Sequence, residues 1–490
     1  VKNSLSLAAL SRVVSNVCVV LAAFFSICLY NLYVSKEIYG TILVGLQIIG
    51  YLPLMSGGFR TVLNQRMLAQ PDAETVRAVA RFGQTLQSYF FVFVVVAGVS
   101  VMLAYSQTPK THVLGIPLLV FAATGLAGAV NFQAGGQLGL LVAFGEQVTS
   151  ALIQGAWAIM GVVILWASFE LGFGVWAFPL SNGLGALLTI IGVRMALAVT
   201  GNDVPLFVWQ RENDFRERFK AVWRPAVDCL YSQIGVVLIY TTDVVLVGIL
   251  IGPGAAAVYG IVARVMANSR QLIQSLSEAA WPRLAQELDD ARRAQLMKKV
   301  DRINAWLVGC WYGAVAMTLQ PFLGWLVKSD WVATQLLITL LVVRNGIASL
   351  VSPHAYGLMS AGRFKELSRI NGQEVLVSVG GGAILSCTAL GMYGTACAFL
   401  LGTVSISGWK YSREYFRFAR DSHWFSEWVA VSWRGLLGGG VSAVLAGVVW
   451  EVEQRDFAAP GWMAVLAGMV GFGLPASAIL ARWVLAKKIL

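Results

Sequence analysis

Residues 240–260, YTTDVVLVGILIGPGAAAVYG, place two apolar runs end to end across the three-residue turn Gly252 to Gly254. Extended outward, the runs cover 225–251 and 255–280. Each exceeds the about 20 residues that an α-helix needs to cross about 30 Å of hydrocarbon. A barrel strand needs only about 10. Lipid offers no partner for an open N–H or C=O, so such runs close their hydrogen bonds as helices. The stretch predicts a hairpin of two membrane-crossing helices with almost nothing outside the membrane between them.

The same pattern continues in both directions. It predicts spans at 10–33, 39–59, 82–105, 113–133, 147–169, 174–198, 225–251, 255–280, 303–327, 332–358, 370–390, 393–410, 433–450 and 461–485. Composition agrees: 57% of the chain is hydrophobic and 12% charged, against about 25% charged in soluble proteins. A mean hydropathy of +0.70 leaves too little polar sequence to coat a water-facing surface. The first run follows a weak basic region (Lys2, Arg12) and lacks a small-residue cleavage site, so it reads as a retained span and not a signal peptide. Segment 281–302 reads as a short amphipathic surface helix with Leu284, Leu288 and Leu296 on its apolar side. Prolines 53, 117, 179, 321, 353 and 475 fall within spans, where each removes a backbone hydrogen bond. The six cysteines sit inside apolar runs, without a CxxC pair or a nearby histidine. They read as small buried hydrophobes, with neither a metal site nor a disulfide framework.

Lysine and arginine test the map. Of 36 such residues, 30 fall on one side, in its loops or toward the span ends that adjoin them, four (Lys36, Lys110, Lys328, Arg455) in the opposite loops, and two (Arg264, Arg344) deeper within spans. Cytoplasmic loops carry the basic excess, so both termini are expected in the cytoplasm of a bacterial cell, with the chain in the inner membrane. This topology accounts for the net charge of +11, and no nucleic-acid partner is expected.

Short self-similarities suggest a repeat. Ile38-Tyr39-Gly40 and Val258-Tyr259-Gly260 open spans 2 and 8, while Leu171–Gly174 and Leu390–Gly394 open spans 6 and 12. A shift of six spans keeps the two halves in one orientation, an arrangement of parallel repeats found in transporters. The predicted fold is an all-α polytopic membrane protein of about 14 transmembrane helices: two six-helix lobes in a parallel pseudo-repeat plus two C-terminal helices. The expected divisions are an N-terminal lobe at 1–200, a basic cytoplasmic linker at 201–224, a C-terminal lobe at 225–410 and the extra helices at 411–490.

Charges inside spans cost several kcal/mol on most scales (about 3 on the insertion scale) and therefore point to function. Arg264 lies about 13 Å below the outer end of span 8, Arg344 about 18 Å into span 10, and Asp243 about 12 Å from the outer end of span 7. Arg264, Asn268, Gln271, Ser275 and Glu278 share one helical face, as do Asn345, Ser349, Ser352 and Tyr356 in span 10, and Arg12 and Asn16 in span 1. Span 5 offers Gln147, Ser150 and Gln154. One reading is a polar cavity lined by Arg12, Asn16, Arg264, Asn268, Gln271, Arg344 and Asn345. The other is that these side chains join helices, as Ser, Asn and Gln often do; arginine at mid-depth fits that role less well. Asp243 and Glu278 read as ion-coupling residues or charge partners, Asp243 with Arg264. His354 has no acidic or histidine partner at local spacing and reads as a packed or cavity-lining residue.

The chain lacks GxxxxGK[ST], HExxH and GxSxG. The outer loops are a few residues long, too short for the catalytic segments of glycan polymerases or ligases. An enzyme is not expected, nor a cofactor.

The six-plus-six spans, the Tyr-Gly or Gly turns opening spans 2, 8 and 12, the stretch at 240–260, and SAGRFKEL at 360–367 resemble the polysaccharide and oligosaccharide-lipid flippases of the multidrug/oligosaccharidyl-lipid/polysaccharide (MOP) exporter superfamily. The resemblance implies a polyprenyl-pyrophosphate-linked oligosaccharide moved from the cytoplasmic to the periplasmic leaflet by alternating access. It also implies the bilayer and polysaccharide polymerase or assembly machinery as partners. Arginine, with its planar fork of donors, suits a pyrophosphate. Within the superfamily the alternatives are a multidrug cation antiporter, which needs membrane-embedded carboxylates, and a lipid II flippase, whose cargo is also pyrophosphate-linked. A membrane glycosyltransferase or polymerase is the reading from another class.

Overall fold

A computed structural model describes residues 5–52, 54–69, 73–112, 114–202, 204–209, 215–286, 290–418, 424–457, 467–468 and 472. These residues are helical or form the turns between helices. In chain order the helices are α1 (Leu5–Tyr33), α2 (Lys36–Ile49), α3 (Leu54–Ala69), α4 (Ala73–Ser106), the single turn α5 (Pro109–His112), α6 (Leu118–Ala143), α7 (Gln147–Glu170), α8 (Ala177–Val199), α9 (Phe215–Leu246), α10 (Pro253–Gln286), α11 (Asp290–Leu326), α12 (Gln335–Ser360), α13 (Phe364–Val375), α14 (Gly381–Ser386), α15 (Gly391–Gly402), α16 (Gly408–Phe418) and α17 (Trp424–Phe457). The first thirteen expected spans all fall on helix. The fourteenth, 461–485, lies outside the described residues apart from 467, 468 and 472.

Among the described residues, eight helices are long and apolar enough to cross a membrane by length and composition: α1, α4, α6, α7, α8 with its leading 3-10 turn, α9 with the π turn that follows it, α12 and α17. The chain is a multi-pass membrane protein. Helix α10 falls short of that apolarity because Arg264, Asn268 and Gln271 run along it. Spans 11 and 12 are broken by the π turns Leu376–Gly380 and Thr403–Ser407.

Several expectations are corrected. Span 2 is two helices, α2 and α3, parted where Gly50 caps the first. Pro117 starts α6 instead of interrupting it, and the helix runs on to Ala143, ten residues past the expected end. Gly145, at φ 86°, then turns the chain in a backbone region that favours glycine. Pro321 and Pro353 do lie inside helices; Pro53 and Pro475 lie outside the described residues. Segment 281–302 is no separate surface helix, since its two ends continue α10 and α11. Of the cysteines, Cys229 and Cys310 are buried but Cys387 is exposed.

The chain forms two compact units, Val1–Ala257 and Val258–Leu490. In the first, α9 packs on α3 through glycines: a Cβ on Gly58 would stand 2.1 Å from the Ala226 carbonyl. Likewise, a Cβ on Gly40 would stand 1.9 Å from the Pro253 carbonyl, so the Tyr39-Gly40 pair marks a backbone crossing and not a turn. By packing, α9 therefore belongs with the helices before it. Met67, Ala80, Leu141, Val193 and Leu197 form a core joining α3, α4, α6 and α8.

In the second unit, α11 and α17 meet through facing pairs of glycines four residues apart. A Cβ on Gly309 would lie 2.1 Å from the Gly435 carbonyl, and one on Gly313 2.3 Å from the Gly439 carbonyl. Small residues at this spacing let two membrane helices touch backbone to backbone. Ser442 Oγ adds a 2.6 Å hydrogen bond to the Cys310 carbonyl. The first of the extra C-terminal helices is thus packed into the second unit.

Candidate functional site

In the first unit, α1 carries Arg12 half-buried and Asn16 buried, one helical turn apart. They lie on the face expected from their spacing. Next to them, α1 closes on α7, where a Cβ on Gly155 would sit 3.1 Å from Ser15 Cα. Ser150 donates to the Leu138 carbonyl at 3.4 Å, which ties α7 to α6. Asp243 on α9 is buried, and its Oδ1 accepts from the Val244 N–H at 2.8 Å.

A cluster of amides in the same unit was not singled out from the sequence. Arg60, Ser56, Gln84 and Gln87 line a cavity of about 40 Å³, enough for water. Arg60, one residue past the expected end of span 2, is half-buried in α3. Beside the cavity, Gln137 donates to Gln84 Oε1 at 3.1 Å. Residues 204–209 lie across this end of the unit, held by their backbone. The Leu206 carbonyl accepts from Gln84 and, at 3.1 Å, from Gln133, while the Val208 N–H donates to Ser88 Oγ at 3.0 Å. Part of the expected linker is therefore docked on α4 and α6. Helical spacing alone could have flagged Gln84 and Ser88, which are four apart on α4, as are Gln133 and Gln137 on α6.

In the second unit, Arg264, Asn268 and Gln271 are half-buried along one face of α10, as their spacing predicts. The side chain of Glu278 lies outside the described residues. Arg344 and Asn345 on α12 are buried. The Arg344 guanidinium lies 4.7 Å from the centre of the Phe399 ring and acts electrostatically on Glu374. Glu374, itself buried, also accepts hydrogen bonds from Thr403 Oγ1 at 2.8 Å and from Ser407. Thr403 and Ser407 are the two ends of a π turn, a feature that recurs at functional sites. The widened turn presents both hydroxyls to one carboxylate. A charge at this depth is tolerable when paired and when an aromatic face covers it. Asn345 instead turns back on its own helix, donating to the Leu341 carbonyl at 2.8 Å.

Further along the α12 stripe, Ser352 donates to the Ser349 carbonyl within the helix at 2.9 Å, while Ser349 joins helices. Asn304 Nδ2 donates to the Ser349 carbonyl at 3.0 Å, and Tyr312 Oη meets Ser349 Oγ at 3.2 Å, both from α11. His354 has the acidic partner that local spacing did not offer: its Nε2 is 2.9 Å from Asp301 Oδ2, and its Nδ1 is 3.1 Å from Ser412 Oγ. Asp301 is 53 positions away on α11 and Ser412 lies on α16, so no window around His354 contains either.

Each unit thus holds basic and amide side chains along a helix that runs through apolar surroundings. Chemically, such rows can donate hydrogen bonds to phosphate and to sugar oxygens. Arg264 and Arg12 are the half-buried arginines of the predicted set, whereas Arg344 is buried.

No protein-family profile and no curated protein matches the chain. Solved structures do. The chain is similar to the lipid II flippase MurJ in its inward closed conformation, with a TM-score of 0.69 at 12% identity over 98% of this chain and 99% of that one. It is similar to a MOP superfamily transporter from Pyrococcus furiosus, described as having a binding pocket of reversed polarity, with a TM-score of 0.61 at 14% identity over 88% and 96%. The eukaryotic MATE transporter AtDTX14 gives 0.56 at 14% identity over 88% and 98%. The fold is the one these transporters share.

Proposed function

We propose that the protein is a transporter that moves a polyprenyl-pyrophosphate-linked oligosaccharide from the cytoplasmic to the periplasmic leaflet by alternating access. The observation that carries this reading is the row Arg264, Asn268 and Gln271, half-buried along one face of α10. Arginine followed by two amides on one face matches a pyrophosphate followed by sugar hydroxyls. Arg12 and Asn16 repeat that pairing on α1. An inside-negative potential would favour outward movement of the anion by about 2.3 kcal/mol per charge per 100 mV. The site residues proposed are Arg12, Asn16, Arg264, Asn268, Gln271, Arg344 and Asn345, with Asp243 and Glu278 as coupling or charge-pairing groups.

Two other readings fit the fold equally well. Lipid II flipping shares the pyrophosphate chemistry. Cation antiport gains from buried carboxylates that the sequence argument did not count, Glu374 and Asp301. Asp301, however, already faces His354 at 2.9 Å, and Glu374 already accepts from Thr403 Oγ1 at 2.8 Å, which leaves fewer open carboxylate oxygens for a cation. The deciding experiment is a flipping assay with purified protein in sealed vesicles, run in parallel with a polyprenyl-pyrophosphate oligosaccharide, lipid II and a lipophilic organic cation. Faster movement of the first supports the proposal. Movement of lipid II alone or of the cation alone replaces it with the corresponding alternative.

A further inference from the structure

We infer that the second unit carries a built site for the headgroup of an anionic phospholipid, separate from the transported cargo. It lies where the turn after α12 meets α13 and α16. There Leu358, Arg363, Glu366, Arg369, Glu414 and Arg417 line a cavity of 350 Å³, within the about 300–1,000 Å³ typical of ligand sites. Gly362, at φ 71°, makes the sharp turn that brings Arg363 to the start of α13.

Four features select the ligand. First, Arg363, which lines the cavity, is the N-cap of α13 and gives that helix no side-chain cap, so the positive end of the helix dipole lies at this edge of the site. Second, two arginines are held in place by carboxylates: Arg363 Nη1 is 3.3 Å from Glu366 Oε1, and Arg369 Nη2 is 3.0 Å from Glu414 Oε1. Third, three arginines against two glutamates leave one net positive charge. That balances a single phosphodiester, as in a phosphatidylglycerol headgroup, and not a pyrophosphate. Fourth, α16 carries Glu414 and Arg417 toward its C-terminal end and opens with Trp409, whose ring lies 5.6 Å from Lys410 Nζ and 5.8 Å from the Arg413 guanidinium. Tryptophan among basic side chains is the mark of a helix end at the headgroup level, where anionic lipid attracts Lys and Arg. The cavity lies within about 12 Å of that level along α16, which favours a lipid headgroup over a soluble phosphate.

The test is lipid retention. The full chain is purified from mixed vesicles of phosphatidylcholine and phosphatidylglycerol into neutral detergent, and bound lipid is counted by native mass spectrometry. The wild type should retain phosphatidylglycerol in preference to phosphatidylcholine. The double variant Arg363→Ala/Arg417→Ala, both exposed positions, should lose that preference at least fivefold with an unchanged melting temperature. Should the double variant melt early, Arg417→Gln alone, set against the wild-type preference, carries the same comparison. Equal retention of the two lipids by the wild type, or an unchanged preference in the variants, overturns the inference. So does inorganic phosphate raising the melting temperature of lipid-free protein as much as phosphatidylglycerol does, since the site would then take soluble phosphate.

Discussion

His354 Nε2 and Asp301 Oδ2 stand 2.9 Å apart with both side chains 1% exposed. The pair ties α12 to α11, and Ser412 extends it to α16. Around it, Tyr415 and Phe416 exclude water, with ring centres 5.6 and 5.1 Å from that of His354. Lys298, half-buried with its Nζ 5.9 Å from the centre of the Phe416 ring, pairs with Glu427 at 3.2 Å. Removing one member of a buried pair leaves an uncompensated polar group and costs about 3–5 kcal/mol. His354→Ala should therefore lower the melting temperature sharply. The double variant Asp301→Asn/His354→Gln, which keeps shape without charge, should recover much of that loss. Equal melting of His354→Ala and wild type would contradict the pairing.

Arg344 and Glu374 allow a test that separates binding from packing. If Arg344 serves mainly to balance Glu374, then Arg344→Leu destabilises the protein by about 3–5 kcal/mol and Arg344→Leu/Glu374→Leu restores it. Transport should then return with stability in the double variant. Transport that stays lost in a stable double variant assigns Arg344 to the cargo.

The glycine contact of α11 and α17 predicts a graded response. Gly313→Ala places a Cβ 2.3 Å from the Gly439 carbonyl and should cost about 1–3 kcal/mol, the usual range for overpacking. Gly313→Leu should displace α17 and expose its α11-facing side to proteolysis. By contrast Gly440, whose added Cβ would meet nothing within 4 Å, should accept alanine without change.

Orientation can be read from one cysteine. Cys387 is exposed at the bend between α14 and α15, on the side that the basic loops assign to the periplasm. A variant keeping Cys387 alone should react with a membrane-impermeant maleimide in intact spheroplasts. Reaction only after lysis would reverse the topology.

Much of the fold was legible because its rules are local. The hydrocarbon thickness fixes the length of each apolar run, and charged loops fix the hairpins, so thirteen expected spans fall on helix, although α4, α9 and α11 begin nine to thirteen residues before the spans they carry. What escaped was decided by other parts of the chain. Helix α6 overran its expected end because GGQLGLLVA at 135–143 is as compatible with helix as with a turn, and only Gly145 stops it. The break between α2 and α3, the π turns and the boundary at Ala257 follow from packing that no window shows. The candidate site divides in the same way. Helical period placed Arg264, Asn268 and Gln271 on one face. The partners of Arg344 and His354 lie 30 and 53 positions away and were invisible to it.

The central claim is that the α10 row engages an anionic cargo, and Arg264 tests it most directly. Purified wild type, Arg264→Lys and Arg264→Ala, matched for melting temperature and vesicle incorporation, are compared for flipping of a polyprenyl-pyrophosphate oligosaccharide. The account predicts at least a tenfold loss for Arg264→Ala and partial recovery for Arg264→Lys, which keeps the charge without the planar fork. Wild-type flipping by Arg264→Ala would contradict it.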